Sequence, residues 1–359
     1  MTAGPRWNPS RCALCFRRRR EGLRRRMKSP DRDRRHFLTR ALPAAALLYT
    51  ASSEPLRAAP QALPPQSTVV LARDADLRKG GAHPDSARLM ALVDRALCTL
   101  MHRDSTAEAL KLLLRPGEQV SLKVNTLGGR GISTSPVLAE AVAERLQQAG
   151  VRAREITVWD RDTAELEHAG FKIVTGGAGV QCYGTDRLGY EDELAAFGSV
   201  GSRLSKILTE RTGLLINLPV LKDHDGAGVT LALKNMYGVI HNPNKYHPNG
   251  CDPYVADVNA LPEIRARMRL ILTDATTAMY EGGPAFKPEH SWPANMLTAA
   301  CDPVAHDQVG WQLIERKRAE KGLKTLEAEG RPPRYIATAA DADHRLGHNA
   351  SARIHVVEV

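Results

Sequence analysis

The sequence predicts an α/β fold, a mainly parallel sheet with helices on both faces in a three-layer, Rossmann-like arrangement. Three observations carry that expectation. Strand-like runs alternate with amphipathic helical stretches through residues 67–359, which read as a single α/β domain. The run "TGLLINLPVLK" is apolar without alternation, the pattern of a strand covered on both faces. Polar residues follow several of these runs, at the strand ends where open α/β sheets bind ligands.

The elements follow in order. "STVVLARD" reads as a strand. "SARLMALVDRALCTLM" reads as a helix, with Leu89, Leu92, Val93, Ala96, Leu97 and Leu100 at helical spacing. "EQVSLKVN" is a strand ending at Lys123 and Asn125. In "SPVLAEAVAERLQQAG", Ser135 is placed to cap a helix, Pro136 opens it and Gly150 follows its end. "EITVWD" is a strand ending at Asp160. The run from Thr212 to Lys222 is one buried strand. A helix is expected from about Ala227 to Ile240, capped by Asp225, with Asp223 solvated beside it. "RLILTDA" is a strand ending at Asp274. "DPVAHDQVGWQLIERKRAEKG" is a helix capped by Asp302, and "ARIHVVEV" a closing strand. The turn-rich stretches His241 to Val255 and Met279 to Pro293 are longer than connectors need, as functional loops often are.

The first 66 residues read as a leader and a Pro/Ala linker. Of 50 Lys+Arg and 40 Asp+Glu, residues 1–40 hold 14 and 3, which leaves 36 bases against 37 acids. The folded body is nearly neutral, so the net charge of +10 gives no argument for nucleic acid. Arg34 and Arg35 precede Phe37, Leu38 and a short Ala-rich apolar run. That is too short to span a membrane, and it resembles a twin-arginine export signal. Export to the periplasm by the twin-arginine machinery is therefore expected, with cleavage between Ser53 and Gln66; an uncleaved leader would anchor the chain. Met27 reads as the true start, which would remove residues 1–26 with Cys12 and Cys15. The remaining cysteines are widely spaced, so no zinc or iron–sulfur pattern is present.

The chemistry concentrates around "LPVLKDHDGAGVTLALKNMYG". Lys222 and His224 precede the expected helix, and Lys234 and Asn235 lie on it. Lysines at strand ends and a helix start suit a carboxylate or phosphate, and a histidine among them suits acid/base work. Lys123 and Asn125 join them as expected anion clamps. The loop "KVNTLGGRGISTSP" offers Gly128 and Gly129, whose backbone N–H groups can approach an anion. Asp160, Asp274 and Glu281 offer hard oxygen ligands for a divalent cation. His241, His247, His290 and His306 are too scattered to define a site. There is no G-x-S-x-G, H-E-x-x-H or Walker A motif.

The segments "LKVN", "STSP", "ITVWD", "INLPVLKDHDGAGVTLALKNMYG", "DATTAMYEGGP" and "CDPVAHD" together resemble the family known as "domain of unknown function 362". The resemblance implies this fold and a site around Lys222, His224, Lys234 and Asn235. Some relatives resemble iron–sulfur proteins with an appended ferredoxin-like cysteine cluster. No such cluster occurs here, so an iron–sulfur cofactor is not carried over. His306 stands where relatives tend to have an apolar residue. The expected activity is that of an exported enzyme for a small anionic substrate or cofactor, with His224 as acid/base assisted by Lys222. The alternatives are a non-catalytic periplasmic protein that holds an anion or metal, and a cofactor-bearing redox protein. A homodimer is compatible with all three.

Overall fold

A computed structural model describes residues 63–81 and 83–359. The leader, Cys12 and Cys15, and most of the linker lie outside the described residues. The described residues fall in one compact unit. Its strands are β1 (Ser67–Arg73), β2 (Val120–Lys123), β3 (Ile156–Trp159), β4 (Gln181–Cys182), β5 (Ala195–Phe197), β6 (Val200–Ser202), β7 (Leu214–Asn217), β8 (Val220–His224), β9 (Gly228–Thr230), β10 (Met268–Met279), β11 (Ser291–Trp292), β12 (Met296–Ala300) and β13 (Ile354–Glu358).

Eleven of these strands form one sheet, along the path β13-β1-β12-β10-β7-β2-β3-β4. Every pairing on that path is parallel except those of β12, which runs antiparallel to both β1 and β10. Branching from β10 are β11 and the β8–β9 hairpin, while β5 and β6 pair by themselves. The mainly parallel α/β fold is present, with β12 antiparallel on the main path and β9 and β11 antiparallel off it.

Period-two alternation divides each central strand between two cores. Val70, Leu122, Val158, Ile216 and Leu272 face the helices Ser86–Met101 and Pro136–Gln148. Val69, Leu71, Trp159 and Leu215 face the other core, which the helices Tyr254–Ala260 and Pro303–Glu320 share. Local caps set the helix starts as the sequence implied. Ser135 Oγ accepts Leu138 N–H at 3.2 Å, and Asp302 accepts Val304 and Ala305 N–H at 2.8 and 2.9 Å. Each such cap contributes about 1 kcal/mol.

Two expectations change. The run Thr212–Lys222 is not one strand. It divides at Leu218–Pro219, because a proline cannot donate to a central ladder; β7 ends at Asn217 and β8 begins at Val220. The helix expected from Ala227 to Ile240 is also replaced. Asp225, Gly226 and Ala227 turn β8 back into β9, which pairs His224 with Gly228 and Lys222 with Thr230. Gly228 adopts φ +79°, a conformation that serves a hairpin turn and not a helix. Only Ala232–Asn235 is α-helical, followed by a 3₁₀ turn over Met236–Val239. Val229, Leu233, Met236, Tyr237 and Ile240 are buried in either arrangement, so their spacing did not distinguish the two.

The order of connections places a crevice. From β2 the chain proceeds outward through β3 and β4; from β7 it proceeds the other way to β10. The carboxyl ends of the adjacent strands β2 and β7 are therefore where the winding reverses, the position at which open α/β sheets bind ligands.

Candidate functional site

Residues from three segments meet at those carboxyl ends. Lys123 ends β2, Asn125 follows it, Asn217 ends β7, and Asn235 comes from the short helix after the hairpin. Asn235 Oδ1 accepts Asn125 Nδ2 at 3.0 Å and Lys123 Nζ at 3.4 Å, while its Nδ2 donates to Asn217 Oδ1 at 2.7 Å. Asn217 Nδ2 in turn donates to the Ala232 carbonyl at 2.9 Å. Asn125 Oδ1 is buried without a partner. The structure thus brings Lys123, Asn125 and Asn235 together, as expected, and adds Asn217, which lies mid-run in the expected strand Thr212–Lys222 and reaches a strand end only because β7 stops there.

Lys123 is a structural cation here and not a free anion clamp. Its Nζ donates to Asp160 Oδ1 at 2.6 Å and to the Val124 carbonyl at 2.7 Å, with only 1% of the side chain exposed. Asp160 Oδ2 takes the N–H and hydroxyl of Thr126, each at 2.8 Å. Gly238 makes room for this pair, since a Cβ there would lie 2.7 Å from Lys123 Nζ.

The second cluster lies on one face of β8 and is different in kind. Lys222 is fully buried, and its Nζ makes one hydrogen bond, to the Pro284 carbonyl at 3.2 Å. Gly128 packs directly on it: a Cβ at that glycine would sit 2.8 Å from Nζ. Burial pushes the Lys222 ammonium down to about 8. Lys234 is also buried. Its Nζ lies 4.5 Å from the centre of the Tyr237 ring and 3.5 Å from His247 Nε2, and burial pushes it down as well. Neither lysine has a carboxylate within ion-pair distance among the described residues.

His224 lies in the field of both. Its Nδ1 accepts the N–H groups of Gly226 and Ala227 at 3.1 and 3.2 Å. A ring nitrogen that accepts two donors carries no proton, so the neutral ring holds its hydrogen on Nε2. Burial, then the charges of Lys234, His247 and Lys222, drive its proton affinity down to about 2. The His247 ring stacks beside it with centroids 6.1 Å apart. His247 Nδ1 meets the Pro243 carbonyl at 3.1 Å, so Nδ1 is the donor and Nε2 faces Lys234 as an acceptor. His247 had been set aside as one of four scattered histidines. It is held by the turn-rich stretch after His241, whose length was the available signal.

The opposite face of β8 corrects the reading of the acids. Asp223, expected to be solvated, is fully buried. Its Oδ1 accepts Gly283 N–H at 3.0 Å and its Oδ2 meets Arg331 at 3.1 Å. Alternation along a strand points Asp223 away from Lys222 and His224. Burial raises its carboxyl to about 6, against the pull of Arg331. Glu281 binds both Arg331, at 2.6 Å, and Arg318; Glu329 binds the same two arginines. Asp225 caps nothing: it is exposed in the hairpin turn, where its N–H donates to the Gly283 carbonyl at 3.0 Å.

The expected cation ligands Asp160, Asp274 and Glu281 do not converge. Asp274 accepts Ser135 N–H at 2.8 Å and both the N–H and hydroxyl of Thr276, which fixes the start of a helix. The acids that do converge among the described residues are Asp223, Asp225 and Glu281, with ligand oxygens within 4.8 Å of one another. Arg331 lies against two of the three and supplies the positive charge that a metal would bring. Gly129, expected with Gly128 to present N–H groups to an anion, donates its own to the Thr126 carbonyl at 3.0 Å.

Fold and site together define a three-layer α/β protein with an uncompensated lysine–histidine cluster beside its strand ends. Residues 120–312, more than half of the chain, match the family described as "Domain of unknown function (DUF362)", and the chain belongs to that family. Comparison with curated proteins gives no match. A crystal structure of a protein from Thermotoga maritima, a structural-genomics target, is similar at 10% identity and a TM-score of 0.39, over 68% of this chain and 60% of that one.

Proposed function

We propose that the protein binds a small carboxylate or phosphate anion between Lys222, Lys234 and His224, and acts on it as an enzyme exported by the twin-arginine machinery. The observation that carries the reading is the burial of two ammonium groups with no carboxylate beside either. A buried, unpaired charge is costly, and an anion would offset that cost. His224 enters as a neutral donor through Nε2–H. With Nδ1 engaged by two N–H groups it is poorly arranged as a base, which refines the acid/base role expected of it. Lys222 is the better proton acceptor, because an amine that titrates near 8 is partly neutral at working pH.

Inorganic phosphate and acetate, titrated against the purified mature chain, test the binding. Each should raise Tm in wild type and leave a Lys222→Met, Lys234→Met double variant unmoved. Equal shifts in both proteins would remove the site. A non-catalytic anion carrier is the second reading, favoured by the enclosure of Lys222. Native mass spectrometry on protein exported from a bacterial host separates the two: a retained ligand that His224→Ala still binds but no longer converts marks an enzyme. Replacing Arg34 and Arg35 with lysine should retain the precursor inside the cell, and continued export would defeat the targeting proposal.

A further inference from the structure

Lys234 and Asn235 project from a segment, Ala232–Asn235, that is too short to satisfy its own backbone. The helix Pro303–Glu320 supplies what it lacks. Asp307 is fully buried, and its two oxygens accept the N–H groups of Ala232 and Leu233 at 2.8 and 2.9 Å. The carbonyls of the same two residues are held by Asn217 Nδ2 and Asn259 Nδ2, at 2.9 and 2.8 Å. Asp307 is fixed in its turn. His306 Nδ1 lies 2.8 Å from it, and His306 Nε2 meets the hydroxyls of Thr273 and Thr298 at 2.7 and 2.8 Å. A carboxylate is an acceptor only, so Nδ1 carries the hydrogen and Nε2 accepts both hydroxyls. Gly310 allows the approach, because a Cβ there would meet Leu231 Cδ1 at 2.6 Å.

We infer that Asp307, oriented by His306, is a positioning residue that sets where Lys234 and Asn235 stand in the anion site. It touches no ligand. Its carboxylate anchors the turn that carries the cation, with strands β10 and β12 behind it through Thr273 and Thr298. A residue that served stability alone would need no connection to this one segment. Asp302, on the same helix, is such a residue: it caps the helix's own N–H groups and ties down Ser67 and His348.

That contrast supplies the test, which rests on the anion reading for one readout and is independent of it for the other. Asp307→Asn keeps the shape and loses one acceptor. Phosphate affinity, followed by calorimetry, should fall about tenfold, the effect of losing one well-placed buried hydrogen bond. The second readout needs no ligand. Burial, and after it the Lys234 ammonium 3.5 Å from Nε2, hold His247 below the ordinary histidine range, so NMR titration of His247 should move part of the way up toward that range once Lys234 is displaced. Asp302→Asn should lower Tm while leaving both readouts at the wild-type value. An Asp307→Asn protein that loses Tm yet keeps both phosphate affinity and the His247 titration overturns the inference. If wild type ignores phosphate, the anion reading fails, and the His247 shift alone decides the positioning role. Should Asp307→Asn fail to fold, Asn259→Ser releases the Leu233 carbonyl and is judged by the same readouts.

Discussion

The two faces of β8 carry the same kinds of group and use them in opposite ways. On one face, Asp223 is locked to Arg331, and Arg331 and Arg318 share Glu281 and Glu329. Each charge there finds its partner within the protein. On the other face of the same strand, Lys222 and His224 are buried too but hydrogen-bond only to a carbonyl and backbone N–H groups, and no carboxylate comes within ion-pair distance of Lys222 among the described residues. Burial alone therefore does not mark a site. What marks it is burial without internal neutralisation, since a group kept at that cost in the free protein has a partner arriving from outside.

Substitutions on the two faces should differ in sign. Arg331→Met strands Asp223 and leaves Glu281 with Arg318 alone, and should destabilise the fold by about 3–5 kcal/mol in a denaturant titration. Lys222→Met removes an unpaired buried charge and keeps its apolar stem. That variant should be about 1–3 kcal/mol more stable than wild type, and loss of stability would end the claim that Lys222 lacks compensation. Gly128→Ala places a methyl 2.5 Å from Ile132 Cγ2 and 2.9 Å from the Ile132 carbonyl as well as against Lys222. It should destabilise by about 1–3 kcal/mol and reduce phosphate binding.

The pH dependence sharpens the same comparison. The folded-state affinity of His224 is depressed to about 2, so the unfolded chain binds the proton first. Its contribution is present above the ordinary histidine value and is lost as pH falls toward 2, at up to about 1.4 kcal/mol per pH unit. His224→Gln should flatten that acid limb. Lys222 acts at the other end. Its ammonium is depressed to about 8, so the penalty is full below pH 8 and lifts as pH rises toward the free-lysine value. Wild-type stability should therefore climb over that alkaline range, and Lys222→Met should not. The smallest effect is Asp225→Asn. This exposed turn residue should change stability by less than about 0.5 kcal/mol, with or without magnesium; a magnesium-dependent loss would revive the acids around Glu281 as a cation site.

Much of this was legible beforehand. Strand and helix periodicities gave the layers, and the caps at Ser135 and Asp302 could be read letter by letter. Lys222, His224, Lys234 and Asn235 were visible as polar residues gathered on either side of one turn. The hairpin was misread because buried residues from Val229 to Ile240 satisfy a helical stripe and a strand-turn-helix equally, while the glycine that decides between them, Gly228, reveals itself only through its φ. The fate of charges was less legible still. Lys123 and Lys222 look alike in sequence, yet the first pairs with Asp160, 37 residues away, while among the described residues no carboxylate comes within ion-pair distance of the second. Arg331, 108 residues from Asp223, could be paired with it only by the fold.

The position of β1 has a consequence for how the chain is made. Its partners are β12 and β13, and Ser67 also hydrogen-bonds to Asp302, 235 residues later. The first of the described strands to be synthesised therefore waits, apolar and unpaired, until β12 and β13 follow. Such distant pairing closes late and leaves edges exposed to aggregation in the meantime. Val359 at the carboxyl end exchanges hydrogen bonds with Arg73 and Leu71. Completion of the sheet thus waits for β13, and removing that strand would leave one edge of β1 open.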